Sequence, residues 1–289
     1  MTSPLEQKSI VEVKRLVENR VDLPVMPKVA NVVMAEVTSE KSNAARLAQI
    51  ISSDEGLAGR IMRVANSAFY RGPLPTTTLQ QAIVRLGRNL VRDLVISLSS
   101  QSLFRSMGEL EERLWCHAIA TGIAARLVAE QSRGVDRDEA FIGGLMHDIG
   151  KAVLNGAFPE RFQDTVKRAA KEGMPSWQAE QAAFGCHHAA VGGVLLMQWE
   201  LPQGLANAVL WHHSLDDPSQ IPANSRDLAI VLGGANELVN SLGINASEQA
   251  IALTDASILR GPLHFSDKAI EELSERVQAL YEEERNLFT

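Results

Sequence analysis

A histidine followed directly by an aspartate, His147-Asp148, stands in the segment Gly-Gly-Leu-Met-His-Asp-Ile-Gly-Lys at residues 143–151. Imidazole nitrogen and carboxylate oxygen are both ligands for Zn, Mn, Fe or Ni, and a carboxylate can bridge two ions. The same dipeptide also occurs as a surface pair or as a hydrogen-bonded core histidine. The pair is therefore half of a candidate metal site, and the other half must come from elsewhere in the chain.

The remaining histidines are candidates for the other ligands of this metal site. Six of the seven fall at His117, in the His-Asp pair, and in the pairs His187-His188 and His212-His213, while His264 stands apart. The six adjoin apolar segments with helical periodicity, where an uncompensated polar group is costly. Two interpretations follow from the residues alone: a metal site, or a hydrogen-bonded polar core without a metal.

The elements that must position these side chains have helical periodicity throughout. Leu110 to Glu130 predicts one long helix with His117 on its flank, and Asp136 begins the helix that leads to His147-Asp148. Two helices, 158–171 and 176–183, precede the second histidine pair, and a helix after Pro202 ends at the third. Alternating strand patterns are absent from the sequence, so the predicted fold class is all-α.

The first third of the chain predicts short helices with recognisable caps. Ser42 is a candidate cap for a helix that ends near Ser52, Asp54 for the next helix, and Thr76 to Thr78 for residues 79–86. Gly87 then separates this last helix from a further one at 89–104. Two helices around a glycine can imitate a helix-turn-helix, but the segment has no sustained basic face.

Three arginines lie close to Gly87 in the sequence, and their role has two interpretations. Arg85, Arg88 and Arg92 form either a local anion-binding patch or a solvated helix face, and we favour the solvated face.

Composition narrows the class of protein. The chain has 289 residues, 45% of them apolar, which suits one or two compact subdomains. Its net charge of -7 argues against nucleic-acid binding, which needs a concentrated basic surface. Two cysteines suit a reducing compartment, and neither a signal peptide nor an apolar run of about 18 residues is present. We therefore expect a cytoplasmic protein of bacterial type with no membrane partner.

At this level of detail the sequence resembles a known family. The set of His117, His147-Asp148, Gly150-Lys151, His188 and His212-His213 is similar to the metal-dependent HD phosphohydrolase superfamily, especially its HD-GYP branch. The region from about residue 20 to about residue 240 resembles the HDOD domain, a bacterial signalling module of that superfamily. The segments that carry this second resemblance are Leu23-Pro24, Leu47-Ala48, Asp54 to Leu57, Val64 to Ala68, Leu86-Gly87, Gly185 to Gly192 and Trp199 to Pro202.

The resemblance implies a fold and a division of the chain. The fold is an all-α, HD-domain-like helical bundle with an N-terminal helical subdomain. The corresponding division is an N-terminal helix at 1–22, the N-terminal subdomain of HDOD at 23–108, the HD-like subdomain at 109–245 and a helical extension at 246–289.

The resemblance also implies two metal sites that share Asp148. The first site consists of His117, His147, Asp148 and Asn236, and the second site consists of Asp148, His188, His212 and His213. Asn236 falls where active relatives have an aspartate, and an uncharged amide holds a cation less firmly than a carboxylate does. The second site is thus the better preserved. We expect at most one firmly held ion of Fe, Mn, Zn or Ni.

Two residues have implied catalytic roles. Asp148 would hold the metal at the reacting centre, and Lys151 would neutralise a phosphate oxygen, its alternative being a surface cation at a helix end. The Gly-Tyr-Pro signature of HD-GYP enzymes is missing, because Ser214 to Pro218 follows the last histidine pair. Hydrolysis of cyclic di-GMP therefore loses its best support.

Two functions from different classes remain. The favoured one is a regulatory signal-transduction module with little or no catalysis, whose partner is a signalling protein or a nucleotide-type ligand. The alternative is a metal-dependent phosphohydrolase that acts on a nucleotide or cyclic nucleotide. The first is favoured by the missing aspartate and the missing Gly-Tyr-Pro, and the second by the retained histidines.

The C-terminal segment predicts an acidic amphipathic helix. Its apolar positions approximate a heptad seam interrupted at Glu284, consisting of Ile270, Leu273, Val277, Leu280 and Leu287. The seam either packs back on the domain or supports a homodimer, and fewer than three heptads seldom hold a coiled coil.

Overall fold

A computed structural model describes residues 4–18, 23–37, 39, 42–100, 108–132, 134–245 and 256–288. Within these ranges the regular structure consists of α-helices and one 3-10 turn, without any strand. The predicted all-α class is therefore confirmed.

The helices follow one another with short connections. They are α1 Pro4–Glu18, α2 Lys28–Val37, α3 Ala44–Ile51, α4 Glu55–Asn66, α5 Leu79–Leu86, α6 Arg88–Ser100, α7 Glu109–Gln131, α8 Arg137–Met146, α9 Ile149–Ala157, α10 Pro159–Glu172, α11 Ser176–Phe184, α12 His188–Gln198, α13 Gln203–Trp211, α14 Arg226–Ser241, α15 Ser257–Arg260 and α16 Asp267–Phe288, with the 3-10 turn at Pro218–Gln220 between α13 and α14. Among the described residues, none of these helices combines the length and the apolar character that a membrane span needs.

The chain forms two compact units. The larger unit comprises Met1–Pro24 and Leu103–Gln278, and the smaller unit comprises Val25–Ser102 and Ala279–Thr289. A compact unit is defined by contacts and not by independent folding, so the four-part domain division stays a prediction. Two of its boundary regions, 101–107 and 246–255, lie outside the described residues.

Helix α7 is the centre of the larger unit. It packs against α8 and α14, while α12 packs against α9 and α13. Between Leu114 and Ala129 nearly every side chain of α7 is buried, including the polar side chain of His117. Such a helix has no solvent face along these turns, so polar groups within it must find partners in the core.

Side-chain caps begin three helices of the smaller unit. Asp54 accepts a hydrogen bond from the backbone amide of Leu57 (2.9 Å), and Thr78 accepts one from that of Gln81 (3.2 Å). These two caps were predicted. The predicted cap Ser42 is wrong for α3, because the Asn43 side chain, one residue later, accepts the bond from the Arg46 amide. Asparagine is at least as good a cap as serine, and the pattern alone does not choose between neighbours.

The arginines near Gly87 serve the structure of the smaller unit. Arg85 donates to the carbonyl oxygens of Leu74 (2.8 Å) and Ala65 (3.3 Å), and Arg92 forms an ion pair with Asp93 (2.5 Å). Asn66 closes the same loop by accepting from the Thr76 amide (2.8 Å) and donating to the Thr76 carbonyl (2.9 Å). Arg85 thus holds the loop before α5, and Arg92 is paired within its own helix. Of the predicted helix at 89–104, the part beyond Ser100 lies outside the described residues.

The apolar seam of α16 is largely used within the chain. Ile270, Leu273 and Val277 are buried in the larger unit, and Leu280 is half-buried. The side chains of Glu284 and Leu287 lie outside the described residues. These three positions pack back on the domain, and the homodimer stays a prediction.

Candidate metal centre

Five segments of the larger unit deliver the predicted ligands to one place. His117 lies in α7, His147 and Asp148 lie between α8 and α9, and His188 is the first residue of α12. His212 and His213 follow α13, and Asn236 lies in α14. All are buried apart from His213, which is partly exposed.

Close approach at glycines sets the spacing of these segments. A Cβ atom added to Gly150 of α9 would lie 2.0 Å from the His188 carbonyl oxygen, and one added to Gly144 of α8 would lie 2.5 Å from the Thr121 carbonyl oxygen of α7. Only glycine permits backbones to approach this closely. The contact at Gly150 holds Asp148 near His188, and the contact at Gly144 holds His147 near His117.

The Asp148 carboxylate divides its two oxygens between two groups of ligands. Oδ1 lies 3.0 Å from Nε2 of His188, whereas Oδ2 lies 3.3 Å from Nε2 of His147 and 3.5 Å from Nε2 of His117. The candidate ligand atoms of Asp148, His188, His212 and His213 lie within 4.8 Å of one another, as do those of His117, His147 and Asp148. The first group contains the residues of the implied second site, and the other group contains those of the implied first site except Asn236.

Four of the imidazoles are oriented through their outer nitrogens. Nδ1 of His117 lies 2.6 Å from the carbonyl oxygen of Ile244, that of His147 lies 2.7 Å from Gly144 and that of His212 lies 2.6 Å from Val209. A carbonyl oxygen only accepts, so each Nδ1 donates its proton and leaves a lone pair on Nε2. Outer hydrogen bonds of this kind fix the tautomer of metal-binding histidines.

The fourth oriented imidazole has a carboxylate partner that the sequence did not reveal. Nδ1 of His188 lies 2.5 Å from Oε2 of Glu180, a buried residue of α11, and the His188 amide donates to the same oxygen at 2.8 Å. A carboxylate behind a metal-ligand histidine orients the ring and raises its basicity. No spacing rule connects residues 180 and 188, because the bond depends on the turn between α11 and α12.

His213 is held differently. Nε2 of His213 lies 2.9 Å from Nε2 of His188, and its ring stacks beside Trp177 with 6.3 Å between centroids and 25° between planes. In the part of the chain that the structure describes, no hydrogen bond reaches its Nδ1. His213 is thus positioned by ring packing, and Trp177 is a second residue of the site that the sequence did not indicate.

The donor atoms present fit a divalent transition-metal ion. Bonds of about 2.1 Å at angles of about 90–110° place neighbouring ligand atoms about 3.0–3.4 Å apart, and the separations around Asp148 fall close to this range. Within the described ranges, Nε2 of His212 in the second site and Nε2 of His147 in the first site are both buried without a hydrogen-bond partner. Buried polar atoms are rarely left in this state. A cation bound beside either atom would satisfy it.

Burial keeps three of the ligands in their metal-binding form. Burial lowers the pKa of His117 to about 4, and it holds the pKa values of His212 and His213 well below the usual range, helped by the charges of neighbouring imidazoles. These rings are therefore neutral near pH 7, as coordination requires.

For Asp148 and His188, neighbouring charges outweigh the effect of burial on the pKa. Burial opposes ionisation of Asp148, but favourable electrostatic interactions with His147, Lys151 and His188 outweigh it and hold its pKa well below the usual range. Burial also opposes protonation of His188, yet the carboxylates of Glu180 and Asp148 raise its pKa. His188 must then lose a proton when Nε2 binds a metal ion.

Asn236 lies where the predicted register placed it. Its Oδ1 is 3.1 Å from Nε2 of His117 and accepts a hydrogen bond from Nδ2 of Asn240 at 2.8 Å. Because His117 donates through Nδ1, its Nε2 is an acceptor that faces another acceptor. Reversing the Asn236 amide would satisfy His117 but would turn Nδ2 toward Nδ2 of Asn240. Reversing the Asn240 amide as well would let Nδ2 of Asn236 donate to both His117 and Asn240, so these contacts are satisfied without a cation.

His187 and Lys151 complete the surroundings. His187 points to Trp177 in an edge contact (5.9 Å between centroids) and belongs to neither ligand group, and burial lowers its pKa to about 4. Lys151 donates from Nζ to Oδ2 of Asp148 at 2.6 Å and is buried in the cleft. The interpretation of Lys151 as a surface cation is therefore wrong, since the first turn of α9 points it inward.

Comparison with known proteins places the chain in a family. The HDOD domain model matches residues 23–215. The chain belongs to the HDOD domain family. The matched segment contains every histidine of both sites and ends before Asn236.

Solved structures of similar fold agree with the HDOD assignment. An HDOD domain protein of unknown function from Geobacter sulfurreducens is 20% identical, with a TM-score of 0.77 over 98% of this chain and 97% of that chain. A Shewanella amazonensis protein, provisionally named a metal-dependent phosphohydrolase, is 20% identical, with a TM-score of 0.65 over 96% of this chain and 99% of that chain. At these identities the likeness concerns the fold.

A curated relative is longer than this HDOD chain. An uncharacterized protein of Treponema pallidum is 22% identical over 268 residues, which are 91% of this chain and 50% of that protein. The chain thus spans about half the length of the curated relative that it matches.

Proposed function

We propose that this chain is a regulatory HDOD module of bacterial signal transduction whose cleft holds one divalent ion of Fe, Mn, Zn or Ni, with little or no catalysis. The observation that carries the proposal is the contrast between the sites. The second site has a carboxylate oxygen and three imidazoles within 4.8 Å of one another. In the first site the carboxylate oxygen is bound to Lys151, and an amide faces His117.

The residues of the second site would hold the ion. Oδ1 of Asp148 and the imidazoles of His188, His212 and His213 are the donors, and Glu180 fixes the direction of His188. A divalent ion bound there supplies Lewis acidity toward an anionic ligand. Trp177 and partly exposed His213 line the accessible side of the site, where such a ligand would approach.

Metal analysis of protein purified without chelator tests the proposal. We expect about one ion per chain, because four protein donors suit one transition-metal ion. His188→Ala should lose the ion. Absence of metal even at millimolar supply would reduce the histidine cluster to a polar core. Two tightly bound ions with rapid nucleotide hydrolysis would overturn the regulatory assignment.

A phosphohydrolase acting on a nucleotide or cyclic nucleotide is the alternative function. It is favoured by Asp148, whose two oxygens face two ligand groups in the manner of a bridging carboxylate. The provisional name of the Shewanella amazonensis protein points the same way. In a phosphohydrolase, Lys151 would leave Oδ2 of Asp148 and neutralise a phosphate oxygen of the substrate.

Asn236→Asp separates the two functions. The new carboxylate adds one negative charge to the first site, so metal content should rise from about one ion toward two, as in sites that clamp a phosphate between metals. Hydrolysis is then assayed on a panel of nucleotides and cyclic nucleotides. Exposed Asn224 offers a matched control, since Asn224→Asp adds the same charge away from the cleft. Unchanged stoichiometry in Asn236→Asp would contradict the assignment of this residue to the first site.

The proposal also covers the cellular location and the binding partners of the module. We expect a cytoplasmic protein that acts on a signalling partner protein or responds to a nucleotide-type ligand, with no nucleic acid or membrane as partner. The net charge of -7 supports the exclusion of nucleic acid. A homodimer through α16 stays a prediction, and sedimentation with and without residues 266–289 would test it.

A further inference from the structure

Lys151 occupies an unusual position for a lysine. Its side chain is 11% exposed, and its one hydrogen bond among the described residues goes to Asp148. Lysine is seldom buried to this extent unless it is paired with an opposite charge. The Nζ–Oδ2 distance of 2.6 Å is at the short end for a charge-assisted bond.

The oxygen that Lys151 binds belongs to the first site. Oδ2 is the carboxylate oxygen that faces Nε2 of His147 and Nε2 of His117, at 3.3 and 3.5 Å. Oδ1 remains directed at His188 of the second site. The ammonium thus neutralises the oxygen that a cation in the first site would need, and it leaves the other oxygen free.

The net charge of the first site also disfavours a metal ion there. Bound imidazoles are neutral ligands, and Asn236 contributes an uncharged amide. The only anionic group of the first site among the described residues is the Asp148 carboxylate, which the second site shares. The single positive charge of Lys151 already balances it. A divalent ion added to the first site would bring two further positive charges with no carboxylate to offset them.

We propose that the Lys151 ammonium is the built-in cation of the first site and, together with Asn236, limits the cleft to one metal ion. This inference rests on the proposed function in one respect: the second site must be the one that binds metal. Lys151 also orients Asp148, since the bond to Oδ2 keeps Oδ1 turned toward His188. The lysine therefore favours the second site while it closes the first.

Removing the ammonium tests the inference directly. Full-length wild type, Lys151→Met and Lys151→Arg are equilibrated with Mn²⁺ or Zn²⁺ and freed of unbound metal, and ions per chain are counted by mass spectrometry. We expect about one ion in wild type and Lys151→Arg and about two in Lys151→Met, because a two-metal arrangement needs both oxygens of the bridging carboxylate. Lys268→Met is the control. This substitution removes the same positive charge as Lys151→Met, but from a side chain that is 85% exposed.

A second substitution locates the added ion. His117→Ala introduced into Lys151→Met should return the count to that of wild type, because His117 belongs only to the first site. Far-UV circular dichroism checks that each variant is folded. Lys151→Gln, which retains a donor for Asp148 without the charge, gives the same comparison if the methionine variant does not fold.

The outcomes separate this inference from the proposed function. One ion in both wild type and Lys151→Met would overturn the inference and leave the one-ion function intact. No ion in wild type and one in Lys151→Met would overturn the one-ion function and also the inference as stated, because the second site would then not bind metal. No ion in either protein would overturn both.

Discussion

In the second site, Oδ1 of Asp148 meets Nε2 of His188 at 3.0 Å and two further imidazoles complete the set, whereas in the first site Oδ2 of the same residue accepts from Lys151 at 2.6 Å. The two sites therefore share one carboxylate but present it in different electrostatic states. The fourth ligand position differs too, with His213 in one site and the Asn236 amide in the other. We therefore predict that the charges around Asp148, and not the set of imidazoles, decide how many ions the cleft binds.

The largest effect is expected for Asp148→Asn, because this residue belongs to both sites. Metal affinity should fall by more than about 100-fold, since changes behind a ligand alone typically cost about 10- to 100-fold. The metal-free variant should also lose about 3–5 kcal/mol of unfolding free energy, because Lys151 is left as an unpaired buried cation. Titration calorimetry and denaturant unfolding measure the two quantities.

Exposed Asp216 supplies the control for that substitution. Asp216→Asn removes the same charge outside the cleft and should leave both quantities unchanged. Wild-type metal affinity in Asp148→Asn would show that the two sites do not depend on a shared carboxylate.

An intermediate effect is expected for Glu180→Gln, which acts on the second site alone. The glutamine can still accept from Nδ1 of His188 but no longer carries a charge, so metal affinity should fall by about 10- to 100-fold. The effect should depend on pH. Glu180 raises the pKa of His188 in the metal-free protein, and protons therefore compete with metal as the pH falls through that raised pKa. Without the carboxylate this pKa drops, so the loss of metal affinity on acidification should begin at a lower pH.

Metal titrations at several pH values measure this shift, with Glu160→Gln on the exposed side of α10 as the control. Identical pH profiles for wild type and Glu180→Gln would rule out the carboxylate as the group that orients and charges His188.

The smallest expected effect is a difference in metal affinity between substitutions of the two neighbouring histidines of the second site. His212 is buried and donates from Nδ1 to Val209, whereas His213 is partly exposed and is held by packing against Trp177. His213→Ala should therefore weaken metal binding about tenfold less than His212→Ala, because outer hydrogen bonds contribute about that factor. Equal losses in the two variants would mean that ring packing positions a ligand as well as a hydrogen bond does.

The sequence predicted the helices well because apolar periodicity is a local property. The long helix at 110–130 and the caps at Asp54 and Thr78 are confirmed. The cap of α3 was misplaced by one residue, since Ser42 and Asn43 are chemically equivalent as caps. The pairs of histidines and the His-Asp pair were recognisable as a set, and the structure brings them together.

The partners behind the ligands could not be predicted in the same way. Glu180, Trp177 and the carbonyl oxygen of Ile244 reach the site only after distant helices have packed. The inward direction of Lys151 also depends on the position of α9, and the sequence alone left it open between the cleft and the surface. Residue types along the chain indicate the ligands, but their orientation and charge balance are properties of the packed core.

The contact at Gly150 bears on how such a site can change. Because the His188 carbonyl oxygen would lie 2.0 Å from an added Cβ, even alanine at this position would force α9 away from α12. The separation of the α9 and α12 main chains at Asp148 and His188 is therefore set by this contact, which side-chain replacement at residues 151 or 236 leaves in place. We therefore expect substitutions at Gly150 to disrupt the packing of the two helices, whereas substitutions at residues 151 and 236 should change the number of bound ions without disturbing the main chain.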